Sequence, residues 1–291
     1  MEAYLEGCAI RFPHLGIEID HLAKGVDVFG FTITYYGMII AFGMIMGYLV
    51  CSFQAKRTGQ DTEMYLDLAL CDIICAVIGA RIYYVAFQWE DYKDNLIQVF
   101  NLRGGGLAIY GGIIAGVLAT YVFSKIRKVP FFLLLDTACA GLVTGQLIGR
   151  WGNFCNRECF GGYTDNLFAM QIRKSDVASG YLTEDIINHV LTVDGVEYIQ
   201  VHPTFLYESL WNVAVLLVLL FFTKKKSYDG QIFLLYILGY GLGRLWIEGL
   251  RTDQLLLWNT NIPVSQAISA FMVVGALLTL LTQKFVRTKK K

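Results

Sequence analysis

The sequence predicts an all-α polytopic membrane protein with seven transmembrane helices and a small extracytoplasmic α+β head between spans four and five. Three observations support this fold class. Of the 291 residues, 55% are hydrophobic and only 16% are charged, and the mean hydropathy is +0.49, which is too apolar for an ordinary water-facing surface. Stretches of roughly 20 mainly apolar residues, long enough to cross a bilayer as helices, recur along the chain. The one long interval between them, residues 151–202, accommodates the head.

Each apolar stretch is a predicted span. The spans lie at residues 31–52, 65–89, 105–124, 131–150, 203–222, 231–249 and 264–283. The second is the least regular, because Asp67, Asp72 and Arg81 interrupt it. We expect one integral-membrane domain over residues 1–291, with the head inserted at residues 151–202. No basic segment followed by an apolar stretch opens the chain, so no cleaved signal peptide is expected.

The basic residues between the spans predict the orientation. Thirteen lie on one side and eight, spread over longer loops, on the other, and the denser side is normally cytoplasmic. The carboxyl terminus should therefore be cytoplasmic and the amino terminus outside. The denser side carries Lys56, Arg57, Lys125, Arg127, Lys128, Lys224–Lys226, Lys284, Arg287 and Lys289–Lys291. The other carries Arg11, Lys24, Lys93, Arg103, Arg157, Arg173, Lys174 and Arg251.

The head should contain some β-structure. HVLTV and VEYIQV flank the dipeptide Asp194-Gly195, a two-residue turn that favours a hairpin. The sequence therefore predicts a pair of strands around this turn.

Composition argues against two classes of partner. The 24 basic and 24 acidic side chains balance, so nothing indicates nucleic-acid binding. The cysteines form no C-x-x-C pair and the four histidines have no zinc-like spacing, so neither a metal nor another cofactor is expected. Cys155 and Cys159 could form a disulfide outside the membrane, but the favoured prediction is that both remain free thiols. The cysteines are Cys8, Cys51, Cys71, Cys75, Cys139, Cys155 and Cys159.

Span six carries a polar face. Tyr240, Arg244, Glu248 and Arg251 follow one another at spacings of four, four and three, which places them along one side of a helix. An ionisable residue at the centre of a bilayer costs ~2.5 to 3.5 kcal/mol or more, so it normally has a partner or a function. The alternative is a structural ladder, that is, a row of ion pairs along the helix that only holds neighbouring helices together.

The end of span four is also rich in polar groups. Glycines at 141, 145 and 149 recur every four residues and allow another helix to approach closely. Arg150 could simply extend to lipid phosphates, as interfacial arginines do. The density of polar side chains here favours a binding site instead: Arg150, Asn153, Asn156 and Glu158.

Three further segments have both a functional and an ordinary interpretation. RGGGLAIYGGIIAG, residues 103–116, contains Tyr110 and could cradle an anion with backbone N–H groups, or its glycines could serve helix packing. Tyr35 and Tyr36 could belong to an interfacial aromatic belt. HPTFLYES places His202 and Tyr207 at the start of span five, where a lone histidine is more often structural.

These polar groups converge on the outer half of the predicted bundle. Guanidinium groups stay charged and bind phosphate through paired hydrogen bonds, so several arginines in a low-dielectric cleft suit a phosphodiester headgroup. The residues alone therefore predict an enzyme or transporter that handles an anionic phospholipid at the outer leaflet.

Four sequence blocks resemble one known family. GRWGNFCNRECFGG, residues 149–162, resembles the signature G-R-x-G-N-F-x-N-x-E-x-x-G of the prolipoprotein diacylglyceryl transferases. GGLAIYGG, HPTFLYE and YGLGRLWIEGLRTD resemble further blocks of that family in the same order, so the resemblance runs from Tyr36 to span seven.

The resemblance implies a function and a location. Family members are seven-span proteins of the bacterial inner membrane with the amino terminus outside. They transfer diacylglyceryl from phosphatidylglycerol to the lipobox cysteine in the signal peptide of a preprolipoprotein, which forms a thioether and releases glycerol phosphate. This reaction is the first step of lipoprotein maturation and needs no cofactor.

The resemblance also assigns roles to residues. It implies that Arg150 and Arg244 bind the headgroup. Many family members carry a histidine in the block written here as GGLAIYGG, whereas this sequence has Tyr110. The other implied site residues are Tyr36, Asn153, Glu158, Gly161, Tyr240, Glu248 and Arg251.

The expected mechanism leaves one role open. The arginines would stabilise the departing phosphate, while the attacking thiol must lose a proton. Tyr110 and His202 are the candidate acceptors. Two rival functions remain, a lipid or anion transporter and a seven-helix sensor, and both would gain if labelled phosphatidylglycerol failed to react.

Overall fold

The computed structural model describes residues 9–102, 105–257 and 260–288. The predictions that involve Cys8, Arg103 and Lys289–Lys291 concern residues outside these ranges. The chain divides into two compact units. The first takes in the described residues of Met1–Gly47, Leu142–Phe222 and Leu234–Lys291, and the second consists of Tyr48–Gly141 and Thr223–Phe233.

Seven helices within the described ranges are long and apolar enough to cross a membrane, which confirms the predicted fold class. All the helices of these ranges except the short α3 and α6 belong to this set. They are α1 (Tyr35–Arg57), α2 (Thr62–Phe87), α3 (Trp89–Tyr92), α4 (Ile109–Arg127), α5 (Phe131–Asn156), α6 (Glu184–Asn188), α7 (Thr204–Phe222), α8 (Gln231–Ile247) and α9 (Val264–Thr288). Single 3-10 turns occur at Leu96–Phe100, Lys174–Asp176, Ser179–Tyr181, Thr223–Lys225 and Glu248–Leu250.

Several span boundaries differ from the prediction by a few residues, and two of these differences bear on the site and the head. The first span was expected from residue 31, but Phe31–Thr34 is a strand and the helix begins at Tyr35. Hydropathy alone cannot separate such a short apolar strand from a helix, because both are apolar runs. The fourth span was expected to end at residue 150, yet α5 continues to Asn156 and the chain leaves the helix at Arg157, whose φ is 55°.

The first unit contains a five-stranded antiparallel sheet in its described part. The strand order is β2-β1-β5-β7-β6, and a separate hairpin pairs β3 with β4. The predicted hairpin around Asp194-Gly195 is confirmed, with both turn residues at positive φ. The strands are β1 (Ile10–Phe12), β2 (Ile17–Ile19), β3 (Gly25–Val28), β4 (Phe31–Thr34), β5 (Met170–Arg173), β6 (Leu191–Val193) and β7 (Val196–Val201).

The amino-terminal strands were not predicted to join the head. Ile10 pairs with Ile172, and Ile172 pairs in turn with Ile199, so three distant segments share one row of buried side chains. The sheet closes over an apolar core that α7 joins through Phe205. The core residues are Ile10, Phe12, Phe160, Met170, Ile172, Val177, Ile186, Ile199, Val201 and Phe205.

Small residues let the helices of the first unit pack closely. A Cβ atom at Gly43 of α1 would lie 3.4 Å from the carbonyl oxygen of Gly145 on α5. One turn further, a Cβ atom at Gly149 would lie 3.3 Å from Ile40. Two of the three glycines spaced by four in span four therefore do admit a neighbouring helix.

The second unit is held by polar contacts as well as by packing. Asp136 of α5 is 2% exposed and accepts hydrogen bonds of 2.9 Å from the backbone N–H groups of Gly230 and Phe233 at the start of α8. These are the N–H groups that a helix cannot satisfy itself. Lys226 also contacts Asp136 at 3.0 Å. Burial would lower the pKa of this lysine, but its hydrogen bonds to Asp229 and Asp136 outweigh burial and raise it.

Candidate functional site

Three membrane helices of the first unit bring two arginines onto one buried carboxylate. Glu208, one turn into α7, is 5% exposed. Its Oε2 lies 2.7 Å from Nε of Arg150 on α5, and its Oε1 accepts a hydrogen bond of 3.1 Å from Nη1 of Arg244 on α8. The two arginines implied by the family resemblance therefore meet at a residue that lies outside the predicted set.

The predicted polar face of span six forms as expected from its spacing. Arg244 contacts Glu248 four residues on, and Nη1 of Arg251 lies 4.0 Å from a carboxylate oxygen of both Glu248 and Glu208. Glu248 is 4% exposed and accepts a hydrogen bond of 2.6 Å from the hydroxyl of Ser265. The last turn of α8 and the residues that follow it thus carry a continuous network of ion pairs.

Arg251 has a second, stronger partner. Its Nε and Nη2 donate to the two carboxylate oxygens of Asp253 at 2.8 and 2.7 Å, which is the bidentate geometry of an arginine–carboxylate pair. Burial opposes the charge of Arg251, but Asp253 outweighs burial and raises the pKa of the guanidinium. Burial likewise opposes the charge of Asp253, and Arg251 outweighs it and lowers the pKa of this carboxyl group.

The network is balanced in charge. Three guanidinium groups, from Arg150, Arg244 and Arg251, face three carboxylates, from Glu208, Glu248 and Asp253. Charges with so little access to water are stable only when they are paired and hydrogen-bonded. We call these six residues the arginine–carboxylate cluster.

The signature residues after Arg150 extend this cluster along α5. Arg150 donates to the amide oxygen of Asn153 at 3.3 Å, one helical turn away. Asn153 donates in turn to Glu158 at 3.0 Å, and Asn156 donates to the same carboxylate oxygen at 3.2 Å. The continuation of α5 beyond residue 150 is what places these side chains on successive turns. Asn153 and Glu158 therefore hold the orientation of Arg150.

Tyr36 of α1 and Tyr240 of α8 flank the cluster. A Cβ atom at Gly152 would lie 2.7 Å from the ring of Tyr36, so this ring rests on the glycine backbone. The Tyr36 phenol is also within electrostatic range of Glu158 and Arg150. Tyr240 lines a small cavity together with Arg244 and Glu208. Both predicted tyrosines are thus neighbours of the charged groups.

Gly161 acts through the backbone. Its N–H donates to the carbonyl of His202 at 3.0 Å, and it forms an antiparallel bridge with Arg251. A Cβ atom here would lie 2.8 Å from both the Cβ of His202 and the carbonyl oxygen of Leu250. Only glycine permits this approach, which fixes the segment that carries Arg251 and Asp253.

His202 is half-buried at the start of α7. Its Nδ1 lies 3.3 Å from the hydroxyl of Tyr207 and 3.5 Å from the amide nitrogen of Asn166. Burial lowers the pKa of His202, so the neutral imidazole predominates at neutral pH. A neutral imidazole can accept a proton, which is compatible with the predicted role. That role of His202 as proton acceptor stays a prediction.

Tyr110 is the second residue of α4 and belongs to the second unit, and its role stays a prediction. The glycine-rich segment before it does not present an anion cradle in its described part. Arg81 donates to the carbonyl oxygens of Gly105 and Gly106 at 2.8 and 2.9 Å, so these groups surround a cation. Further carbonyls on the same guanidinium are those of Gln98, Val99 and Asn101.

Cys155 and Cys159 carry unbridged thiols in the structure. The bridge between Gly161 and Arg251 is antiparallel, so its register brings Cys159 opposite Asp253. The thiol hydrogen-bonds to that carboxylate. Burial raises the pKa of Cys159 to about 12, so this group stays protonated at neutral pH.

Sequence reasoning did not assign Glu208, Asp253 or Ser265 to the site. A signal for Glu208 was present, because it is the one acidic residue between residues 204 and 222 of an apolar span. Asp253 also carried a signal, because an acidic residue two positions after Arg251 is close enough in sequence to pair with it. Ser265 carried no such signal, since a serine at the start of a helix is common.

Fold and site together define a class of protein. This is a multi-pass membrane protein with a buried, charge-balanced cluster of arginines and carboxylates between its helices. Over residues 9–102, 105–257 and 260–288, no group of three His, Cys, Asp or Glu side chains is arranged to hold a metal ion.

Known proteins similar to this chain identify the family. Residues 25–282 match the family model of prolipoprotein diacylglyceryl transferase. Three relatives, each named phosphatidylglycerol-prolipoprotein diacylglyceryl transferase, come from Clostridioides difficile, Clostridium botulinum and Halalkalibacterium halodurans. They are 43%, 42% and 39% identical over 86%, 85% and 85% of this chain and over 91%, 90% and 81% of their own lengths. The chain belongs to the prolipoprotein diacylglyceryl transferase family, which confirms the resemblance seen in the sequence and makes the protein a transferase.

Proposed function

We propose that this protein transfers the diacylglyceryl group of phosphatidylglycerol to the lipobox cysteine of a preprolipoprotein signal peptide. The thiol sulfur attacks the glyceryl carbon next to the phosphate oxygen. A carbon–sulfur bond forms, the carbon–oxygen bond breaks with its electron pair, and glycerol phosphate departs. The products are a thioether-linked lipid on the peptide and a phosphate monoester.

The observation that carries this proposal is the convergence of three guanidinium groups on Glu208. Arg150 and Arg244 contact opposite oxygens of its carboxylate, and Arg251 lies 4.0 Å away. An anion of similar size at this position would meet two planar donors and a third nearby positive charge. Such preorganised donors stabilise the negative charge that develops on a leaving phosphate.

The remaining site residues would support this binding position. Asn153 and Glu158 orient Arg150, and Gly161 fixes the segment of Arg251. Tyr36 and Tyr240 would contact the headgroup or the glyceryl unit. Tyr110 and His202 remain the alternatives for taking the thiol proton, and a free thiol, with a pKa near ~8.5, needs only modest help to ionise.

Placement in the membrane follows from the substrates. We propose a bacterial inner-membrane enzyme with its amino terminus and head outside and its carboxyl terminus in the cytoplasm, as the basic-residue asymmetry predicts. Phosphatidylglycerol would reach the cluster from the bilayer, because the cluster is built on α5, α7 and α8, which are three of the candidate spans.

A transfer assay tests this function directly. Purified protein would be mixed with phosphatidylglycerol labelled in its diacylglyceryl group and with a peptide that contains a lipobox. We expect the peptide mass to rise by one diacylglyceryl unit and glycerol phosphate to appear in equal amount. A matched peptide with serine in place of the cysteine should remain unmodified.

Two results would contradict the proposal. Transfer of label to the serine peptide would show that the acceptor is not a thiol. Absence of any peptide product, together with movement of labelled lipid across the membrane of a sealed vesicle, would favour a transporter.

A further inference from the structure

Glu208 occupies the guanidinium donors that a phosphate would need. Its Oε2 is 2.7 Å from Arg150 Nε, and its Oε1 is 3.1 Å from Arg244 Nη1. Carboxylate and phosphate oxygens use the same paired geometry on guanidinium groups. A headgroup therefore cannot take both of these donors while the Glu208 carboxylate stays in place.

The charge balance leads to the same conclusion. Around Glu208, α5 contributes Arg150, α8 contributes Arg244, and the segment after α8 contributes Glu248, Arg251 and Asp253. The positive and negative charges of these groups already cancel, and Glu158, linked to Arg150 through Asn153, adds a further negative charge nearby. An extra anion in so buried a site would leave an uncompensated negative charge, which is unfavourable away from water.

We propose that Glu208 is a resident anion that the headgroup phosphate displaces, so that this residue sets the affinity of the site for its lipid. The inference rests on the proposed function of the arginine–carboxylate cluster. Displacement exchanges one anion for another on Arg150 and Arg244 and keeps the local charge close to balanced. Return of the Glu208 carboxylate to the same donors would then favour release of the phosphate product.

The competing explanation is a purely structural cross-link. On that reading, Glu208 joins α5, α7 and α8, and its loss should loosen the arginines and weaken anion binding. Displacement predicts the opposite sign, because removal of the resident charge frees two guanidinium groups. The direction of the change in affinity therefore separates the two explanations.

The test measures anion binding to purified Glu208→Gln. Glycerol phosphate, which lacks acyl chains, serves as the probe, and thermal stabilisation of the protein in detergent reports its binding. We expect the half-saturating concentration to fall about tenfold relative to wild type, since one charge-assisted contact no longer competes with the ligand. The variant should be less stable than wild type without the probe, because two buried cations lose their partner.

A second variant covers the possibility that Glu208→Gln does not fold. Glu208→Asp keeps the charge, but its side chain is one methylene shorter and cannot bridge both arginines, so an intermediate affinity is expected. Glu197→Gln is the matched control, because Glu197 is exposed and pairs only with Lys174 among the described ion pairs. Its affinity should equal that of wild type.

The outcomes separate this inference from the proposed function. Affinity equal to or below that of wild type in the folded Glu208 variants would overturn displacement. A wild-type protein that transfers lipid while those variants bind no tighter would refute this inference alone. Tighter binding by the variants, in a protein that transfers no lipid to the peptide, would support displacement and refute the proposed reaction.

Discussion

Replacement of Arg244 by lysine tests whether the cluster needs the shape of a guanidinium group or only its charge. Arg244 contacts Glu208 through Nη1 at 3.1 Å and Glu248 through Nη2, so one planar group spans two carboxylates. Lysine offers a single nitrogen and cannot hold two separate donors in one plane, so we expect it to lose one of the two contacts. Loss of one hydrogen bond to a charged group costs about 1.5 to 3 kcal/mol. If the same contact is used on the phosphate in the transition state, kcat/KM should fall roughly 10- to 150-fold.

The transfer assay with labelled phosphatidylglycerol measures this change. Arg150→Lys should behave similarly, because Arg150 also makes two contacts, to Glu208 and Asn153. Arg11→Lys is the control, since Arg11 forms an exposed pair with Glu18 that should contribute little. Transfer by Arg244→Lys within about twofold of wild type would refute bidentate recognition. Loss of the protein from the membrane would instead favour the structural ladder.

Four further predictions concern single residues outside the arginine–carboxylate cluster. Gly161→Ala should lower activity about 5- to 150-fold, because overpacking of about 1 to 3 kcal/mol displaces the Arg251 segment. Gly162→Ala, with open space at its Cβ position, should match wild type in the same assay. Arg81→Lys should increase amide hydrogen exchange at Gly105 and Gly106, because the three N–H donors of lysine replace the five N–H donors of arginine. Tyr110→Phe should reduce activity without changing the shape of the pH profile. His202→Gln should remove the fall in rate on the acid side of the profile if the neutral imidazole is the base, and burial, which lowers the pKa of His202, moves that fall to a lower pH than an exposed histidine would give. An unchanged profile would exclude that role.

Much of the fold could be predicted because it depends on local patterns. Apolar runs of sufficient length determine the membrane helices, and the Asp194-Gly195 turn determines one hairpin. The amino-terminal strands could not be predicted in the same way. β1 is three residues long and, besides the neighbouring β2, pairs with β5, more than half the chain away. Such pairing depends on tertiary packing that no short window of sequence contains.

The same contrast applies to the candidate site: contacts within one helix could be predicted from the sequence, whereas contacts between helices could not. The sequence could predict that Arg244, Glu248 and Arg251 lie close together, because spacings of four and three place them on one helical face. The contact of Arg150 with Glu208 joins two different helices, so neither residue predicts the other. Gly161 was identified through family resemblance alone. The structure adds its physical reason, since the backbone at Leu250 leaves no room for a side chain.

The balance of charge in the cluster explains why substitutions of its acids and its bases should have opposite effects on anion binding. Removal of a guanidinium contact takes away a donor that both the resident carboxylate and the incoming phosphate use, so affinity falls. Removal of the Glu208 charge leaves Arg150 and Arg244 in place without their competitor, so affinity rises although stability falls. A structural ladder would show both effects in the same direction, because each substitution would only loosen the helices. The pair Arg244→Lys and Glu208→Gln, measured with glycerol phosphate under one set of conditions, therefore distinguishes a site built for anion exchange from a membrane ion-pair network that only holds helices together.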